Sequence, residues 1–496
     1  MNAHESTASA RTWAIFRAGF QATWGRGNWP VGPLILHGSL AALLCGLVHD
    51  TLPPFAYTLF ALSLCGATLA LPLLGEFGVL LRADPAQEWI EAQPVRKSEL
   101  RVARVALVLT LVSALSLASL VPAALVAPDA LALGGRLLLV AVGLAQAVLV
   151  VAVLLALQSA LGERAEALLV FVQTILVVGV VTGVVIVPRV VPFARSWTSI
   201  DAAPAALAAW PSAWFASVAS TSASLTQHTM AWGAFATALL LLGLAPFPPA
   251  PRARRTRTLM SVVLAPAHAL ATRFWVRKTE RGVFDLVYRA LPLEREFVLR
   301  TYPMFGIPLA FLVAGANDSQ GGGREGLLAL LLFSPPIYLP ILLAHVPATA
   351  SPDARWILDT APIERRDVFG GSLKAVALRF LLPLYAALFV LACLYANPLF
   401  AVRIALPAAL VGLLVLRQIM PMFLQDPPLS ISAQDVKLPM DWLGAFGTLA
   451  VVLVFVAIAA NAWITSVWIA AAVTLALVIC DRVIEARNLQ LVHERP

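Results

Sequence analysis

Residues 137–160 run for 24 positions without one charged side chain, and their polar members are two glutamines and one serine. Coiled as an α-helix, such a run is about 36 Å long at ~1.5 Å per residue. That exceeds the roughly 30 Å of hydrocarbon in a bilayer. Helical closure is also what lipid demands, because every backbone amide must be satisfied within the segment. The rest of the chain is built alike: 60% of its 496 residues are hydrophobic and 12% are charged. A water-soluble chain carries about twice that charge. The composition therefore predicts an integral membrane protein and excludes a set of soluble domains. The net charge of +8 does not point to nucleic acid, because the basic residues flank apolar runs and answer to lipid headgroups and topology.

Apolar stretches of spanning length are expected near 31–49, 55–78, 102–126, 137–160, 167–188 and 229–247. A second set lies near 301–316, 327–346, 375–396, 400–422, 442–460 and 463–481. The fold class predicted is all-α, with about 12 transmembrane helices. An even number puts both termini on one side. Of the 35 Lys and Arg, five fall on the other side: Arg136, Arg189, Arg195, Arg324 and Arg403. Positive-inside bias then makes the termini cytoplasmic in a bacterial-type inner membrane. The first 30 residues hold no apolar stretch with a small-residue cleavage site, so no cleavable signal peptide is expected.

Two segments read as interfacial helices. Residues 11–27 set Trp13, Phe16, Phe20 and Trp24 at spacings of three and four, with Arg11, Arg17, Gln21 and Arg26 elsewhere around the helix. Residues 269–300 carry Phe274, Trp275, Val283, Phe284, Leu286 and Val287 among basic residues. The long loop 189–228, with Trp197, Trp210 and Trp214, is expected to hold short interfacial or re-entrant helices on the outer side.

Chemistry-bearing motifs are missing. There is no G-x-x-x-x-G-K-(S/T) and no H-E-x-x-H, and the seven histidines are scattered. The run Gly321–Gly323 reads as an outer hairpin loop. Cys45, Cys65, Cys393 and Cys480 sit in apolar stretches without a CxxC pair, as small core residues do. No catalytic, cofactor or metal residue is predicted in this chain. Glu76, Asp441 and Asp481 fall near helix ends and supply no midplane carboxylate for a proton-coupled carrier. His37 reads as a hydrogen-bonded structural histidine. Gln146, Gln158, Gln173 and Asn461 serve for bonds between helices or a polar seam.

The informative feature is a duplication. After the second span the chain reads Pro85-Ala-Gln-Glu-Trp89-Ile90 and then Pro94-Val95-Arg96-Lys97-Ser98-Glu99-Leu100. After the eighth it reads Pro352-Asp-Ala-Arg-Trp356-Ile357 and then Pro362-Ile363-Glu364-Arg365-Arg366-Asp367-Val368. The offset is 267 at the tryptophan and 268 at the second proline, and Arg136 and Arg403 are again 267 apart. The chain therefore divides into an amphipathic helix (1–30), a six-span half (31–247), a basic linker with its own amphipathic helix (248–300), a second half (301–482) and a cytoplasmic tail (483–496). Two six-span halves inserted alike are parallel repeats about an axis normal to the membrane. In each loop, Trp-Ile, a proline break and an early acidic residue predict a short helix pair on the inner surface.

These loops resemble the Pro-(Val/Ile)-Ser-Arg-x-Glu-(Leu/Ile) segment of ABC-2 type permeases of ATP-binding-cassette transporters, with Arg96 and Glu364 in place of the family serine. The resemblance implies a fused two-half export permease with no cofactor of its own. ATP and magnesium would sit on a separate ATPase, recruited in two copies, with the lipid bilayer and a transported substrate as the other partners and no nucleic acid. It implies coupling helices at 85–100 and 352–368, with docking residues Trp89, Ile90, Pro94, Val95, Lys97, Glu99, Trp356, Ile357, Pro362, Ile363, Arg365 and Asp367. The rival readings are a twelve-span secondary carrier of major-facilitator-like layout, a membrane-embedded enzyme and a non-transporting membrane scaffold.

Overall fold

The computed structural model describes residues 3–24, 31–75, 96–161, 165–220, 223–244, 262–316, 321–349, 351–423, 426–432, 436 and 442–493. The chain forms two compact units, Met1–Leu169 with Gly183–Arg252, and Val170–Thr182 with Ala253–Pro496. The N-terminal helix thus belongs with the first unit, and most of the basic linker with the second. Among the described residues everything regular is helical except one parallel pair of two-residue strands, β1 (Ala348–Thr349) and β2 (Ile431–Ser432).

The first unit contains α1 (Ala3–Trp24), α2 (Val31–Val48), α3 (Pro54–Gly75), α4 (Lys97–Leu125), α5 (Leu133–Leu161), the two ends of α6 (Ala165–Ala194), whose middle belongs to the second unit, α7 (Pro211–Ala219) and α8 (Leu225–Leu244). Helix α7 is the surprise. It begins at a proline whose missing N–H costs nothing at that position, and every residue from Ser212 to Ala219 except Trp214 is buried. The segment between α6 and α8 therefore drives a short helix into the core, among α3, α5 and α8. Phe215 and Ala216 pack there with Phe55, Tyr57, Leu62, Leu139 and Val142. Polar groups in this apolar setting find partners across helices, as they must. Tyr57 Oη donates to Ala123 O at 2.5 Å, Gln146 Nε2 to Leu62 O at 2.9 Å, and His37 Nε2 lies 3.1 Å from Thr68 O.

The second unit contains α9 (Ala265–Phe274), α10 (Arg281–Ala290), α11 (Arg295–Thr301), α12 (Gly306–Ala316), α13 (Gly321–Phe333), α14 (Leu339–Ala344), α15 (Trp356–Thr360), α16 (Arg365–Val376), α17 (Leu382–Tyr395), α18 (Pro398–Phe423), α19 (Trp442–Trp463) and α20 (Val467–His493). Between α16 and α17 the helix widens into a π turn over Ala377–Leu381. Pro383 explains it: it has no N–H to offer the carbonyl of Arg379, and its ring would crowd that carbonyl in an α turn. The glycine run at 321–323, expected as a hairpin loop, instead opens α13.

Helices coincide with all twelve expected apolar stretches, but their lengths correct the count of spans. Among the described residues six helices are long and apolar enough to cross a membrane, or seven if one bent pair forms a single span. Helix α12 has 11 residues, about half of what ~30 Å requires. In α2, α3, α6 and α19, helices of 18, 22, 30 and 22 residues, the apolar stretches among the described residues are Leu34–Val48, Pro54–Ala70, Val170–Gly183 and Gly447–Trp463.

The expectation that Asp481 ends a span is also corrected, because α20 runs on to His493. Asp481 is buried and takes a forked pair of hydrogen bonds from Arg417 of α18, Nε to Oδ1 at 2.8 Å and Nη2 to Oδ2 at 3.2 Å. Glu485, one turn later, lies 3.5 Å from Arg417 Nη1 and 3.2 Å from Arg482 Nη1. Removing one partner of a buried pair strands the other charge, at a cost of about 3–5 kcal/mol. Arg417→Met is therefore expected to lower the thermal unfolding temperature of the purified chain sharply. Arg417→Met with Asp481→Leu should recover most of the loss, since Glu485 keeps Arg482. A double variant that melts no higher than the single one contradicts the pairing.

Candidate functional site

The repeated loops lead into α4 and α16, and each helix begins the same way. Glu99 stands in the first turn of α4, and its Oε2 accepts the backbone N–H of Arg96 at 3.2 Å. An acidic group there satisfies an orphan donor and suits the positive helix end. Its other oxygen, Oε1, accepts from Arg11 Nη2 at 2.9 Å. Arg11 belongs to α1, so this carboxylate ties the amphipathic helix to the start of a spanning helix. The face of α1 turned toward α4 carries Arg11, Ile15, Phe16, Gly19 and Phe20, and leaves Trp13 exposed. Trp13 nonetheless stacks on Phe16, with centroids 5.2 Å apart, so the aromatic stripe expected from spacing runs on from Trp13 to Phe20.

In the second unit Asp367 occupies the matching position in the first turn of α16, and its Oδ1 accepts from Thr279 Oγ1 at 2.9 Å. Both pairs span 88 residues of chain. Arg11 and Thr279 are 268 positions apart, as are Glu99 and Asp367, the offset already seen at the second proline of the loops. The register continues along the helices: Ile15, Phe16 and Phe20 correspond to Val283, Phe284 and Tyr288. The ring pairs repeat too, with Phe16–Phe20 centroids 6.0 Å apart and Phe284–Tyr288 centroids 5.8 Å apart.

The second contact is the more deeply built. Lys374 Nζ donates to Glu280 Oε2 at 2.5 Å, with both side chains almost inaccessible. The carboxylate also accepts the N–H of Arg277 at 3.0 Å. The helices approach so closely that a Cβ on Gly371 would lie 2.8 Å from the Glu280 carbonyl oxygen. Further along, Arg379, in the π turn, holds its guanidinium 5.2 Å from the centre of the Tyr288 ring. Force on α16 thus has a packed route into α10.

Of the predicted docking residues, Trp89, Ile90, Pro94 and Val95 lie outside the described residues, and so does the side chain of Lys97. Glu99 and Asp367 are each only 6% exposed and turned to the amphipathic segments, so they position helices instead of presenting a surface. Trp356 and Ile357 are 64% and 55% exposed on α15, and Pro362 and Arg365 are exposed with Ile363 half-buried. The base of this projection is braced: Arg355 Nε lies 3.2 Å from Asp359 Oδ2 and its Nη1 3.8 Å from Asp426 Oδ1. Thr349, in the small sheet beneath, donates to Glu294 Oε1 at 3.0 Å. Thr279, Glu280 and Lys374 escaped the sequence reading, which placed Arg11 only on the polar side of its helix. Extending the 268-residue offset backward from the loops would have aligned Arg11 with Thr279.

The arginines 267 apart have related tasks. Arg136 donates to carbonyls of the turn after α4, at Ala127 (2.9 Å) and Leu131 (3.1 Å). Arg403 Nη1 donates to Thr465 O, in the turn after α19, at 2.6 Å. Each satisfies carbonyls that a helix end or turn leaves unpaired. Among the described residues no cluster of His, Cys, Asp or Glu is arranged to hold a metal. No protein-family model, curated protein or solved structure matches this chain.

Gly371→Ala sets a Cβ against backbone that cannot yield, so α10 and α16 should part. Trypsin should then cut the basic turn at Arg277 and Lys278 several-fold faster. Gly282→Ala on α10, which meets nothing within 4 Å, should leave cleavage unchanged or slower, since alanine favours a helix interior by roughly 0.5–1 kcal/mol. Equal cleavage of both variants would refute the close contact.

Proposed function

We propose that this chain is a complete two-half permease of ABC-2 type, working as an exporter driven by two copies of a separate ATPase. The observation supporting this most is the duplicated assembly just described: a loop, the helix it opens, and an amphipathic helix tied to that helix's first acidic residue. A scaffold has no need to build such a linkage twice. In this reading the apolar helices form two related sets in the membrane, with both termini and both loops in the cytoplasm. The ATPase binds and hydrolyses ATP, and the permease chain contributes no catalytic group.

Trp356 and Ile357 enter an apolar groove on one ATPase copy, and Trp89 and Ile90 enter the other. Movement of the partner displaces α15 and, through Pro362, the start of α16. Asp367 and the Lys374–Glu280 pair pass that displacement to α10, while the continuous helix carries it through the π turn into α17. The first half does the same through Glu99 and Arg11.

The Arg417–Asp481–Glu485 cluster favours a second reading, an ion-coupled carrier, because ionisable groups within spanning helices commonly serve such transport. The two readings separate experimentally. The tagged chain, extracted gently from native membranes, should retain a P-loop ATPase. An interface tryptophan commonly contributes about 2 kcal/mol or more, close to a thirtyfold change in affinity. Trp89→Ala with Trp356→Ala should therefore strip the partner while the permease remains folded. Wild-type recruitment by that double variant overturns the docking assignment. Gradient-driven uptake by the chain alone, abolished by Asp481→Asn, would establish the carrier.

A further inference from the structure

The first unit contains a groove that the permease reading does not use. It lies between the N-terminal half of α3 and the segment 190–210, where the chain leaves α6 and turns toward the buried α7. Its volume is about 240 Å³, and its walls include Leu52, Leu59, Phe60, Val191, Trp197 and Trp210. Apart from the indole N–H groups of Trp197 and Trp210, its one polar side chain is Ser63, whose Oγ accepts the Trp210 N–H at 3.2 Å. So few polar groups would compensate a sugar, peptide or ion poorly for the water it loses.

Size narrows the occupant further. Cavities for compact drug-sized ligands run to about 300–1,000 Å³, so this groove suits one slender hydrocarbon chain. The surface around it is apolar as well, with Phe193 and Trp210 well exposed. Tryptophans beside such a groove belong at headgroup level. Arg195, exposed and set between the lining residues Ala194 and Trp197, has no acidic partner among the described residues. It supplies the cation that a lipid phosphate needs.

We infer that this groove seats one acyl chain of an anionic phospholipid drawn from the surrounding leaflet, with Arg195 at its headgroup. The groove's wall is built by the long segment between α6 and α8, whereas the corresponding connection between α19 and α20 is only residues 464–466. The inference is independent of what powers the chain.

The test uses the full-length purified chain in phosphatidylcholine vesicles doped with phosphatidylglycerol bearing a photoactivatable acyl chain. One adduct per chain is expected, mapping to residues 52–63 or 190–210. Leu59→Trp, which fills the groove, should abolish it, with Ala56→Phe as a second filler should the first variant fold poorly. Leu475→Trp on the exposed face of α20 should leave it intact. Arg195→Gln should reduce the preference for phosphatidylglycerol over phosphatidylcholine roughly fivefold, the effect of one surface cation. Adducts spread evenly over the lipid-facing helices, or labelling unchanged in a folded groove-filled variant, would overturn the site. Equal labelling by a photoactivatable free fatty acid would overturn the phospholipid assignment.

Discussion

A carboxylate in the first turn of a membrane helix cannot stay without donors, and in this protein its donor comes from a segment 88 residues earlier in the chain. Glu99 takes Arg11 and Asp367 takes Thr279. Hydrogen bonds to charged groups contribute about 1.5–3 kcal/mol, enough to fix which face of an amphipathic helix turns inward. In keeping with this, α1 half-buries Ile15 and Phe16 and leaves Trp13 exposed. Much of the architecture around these helix starts follows from this contact. It orients the amphipathic helices and sets where the spanning helices start, and the loops that precede those starts project from a fixed base.

The two halves repeat this contact but strengthen it differently. The first half relies on a guanidinium that remains partly exposed. The second adds the inaccessible Lys374–Glu280 pair and the tight approach at Gly371. Away from these helix starts the halves diverge more. The first inserts α7 into its core and carries the apolar groove beside Trp210.

Much of this was legible in the sequence, for physical reasons. Apolar runs of membrane length have few alternatives to helix, and helices occupy all twelve predicted stretches. Whether each can cross was not legible, because length depends on where prolines and tertiary contacts break the helix. Pro303 opens a 3₁₀ turn and leaves α12 with 11 residues. The loop repeat was visible because Trp, Pro and an acidic residue recur at fixed spacing. The roles of Glu99 and Asp367 were not, since exposure depends on partners far away in the chain. Asp481 was misplaced for the same reason: its partner Arg417 is 64 residues distant, and only the fold brings them together.

The duplicated tie is tested most directly by hydrogen exchange on the full chain, comparing wild type with Glu99→Ala and Asp367→Ala. Loss of one charged hydrogen bond, ~1.5 kcal/mol, is roughly a tenfold faster exchange wherever opening releases the segment. Glu99→Ala should accelerate exchange in residues 9–21 and leave 281–290 protected, and Asp367→Ala should do the reverse. Unchanged protection in both segments in both variants would contradict the account.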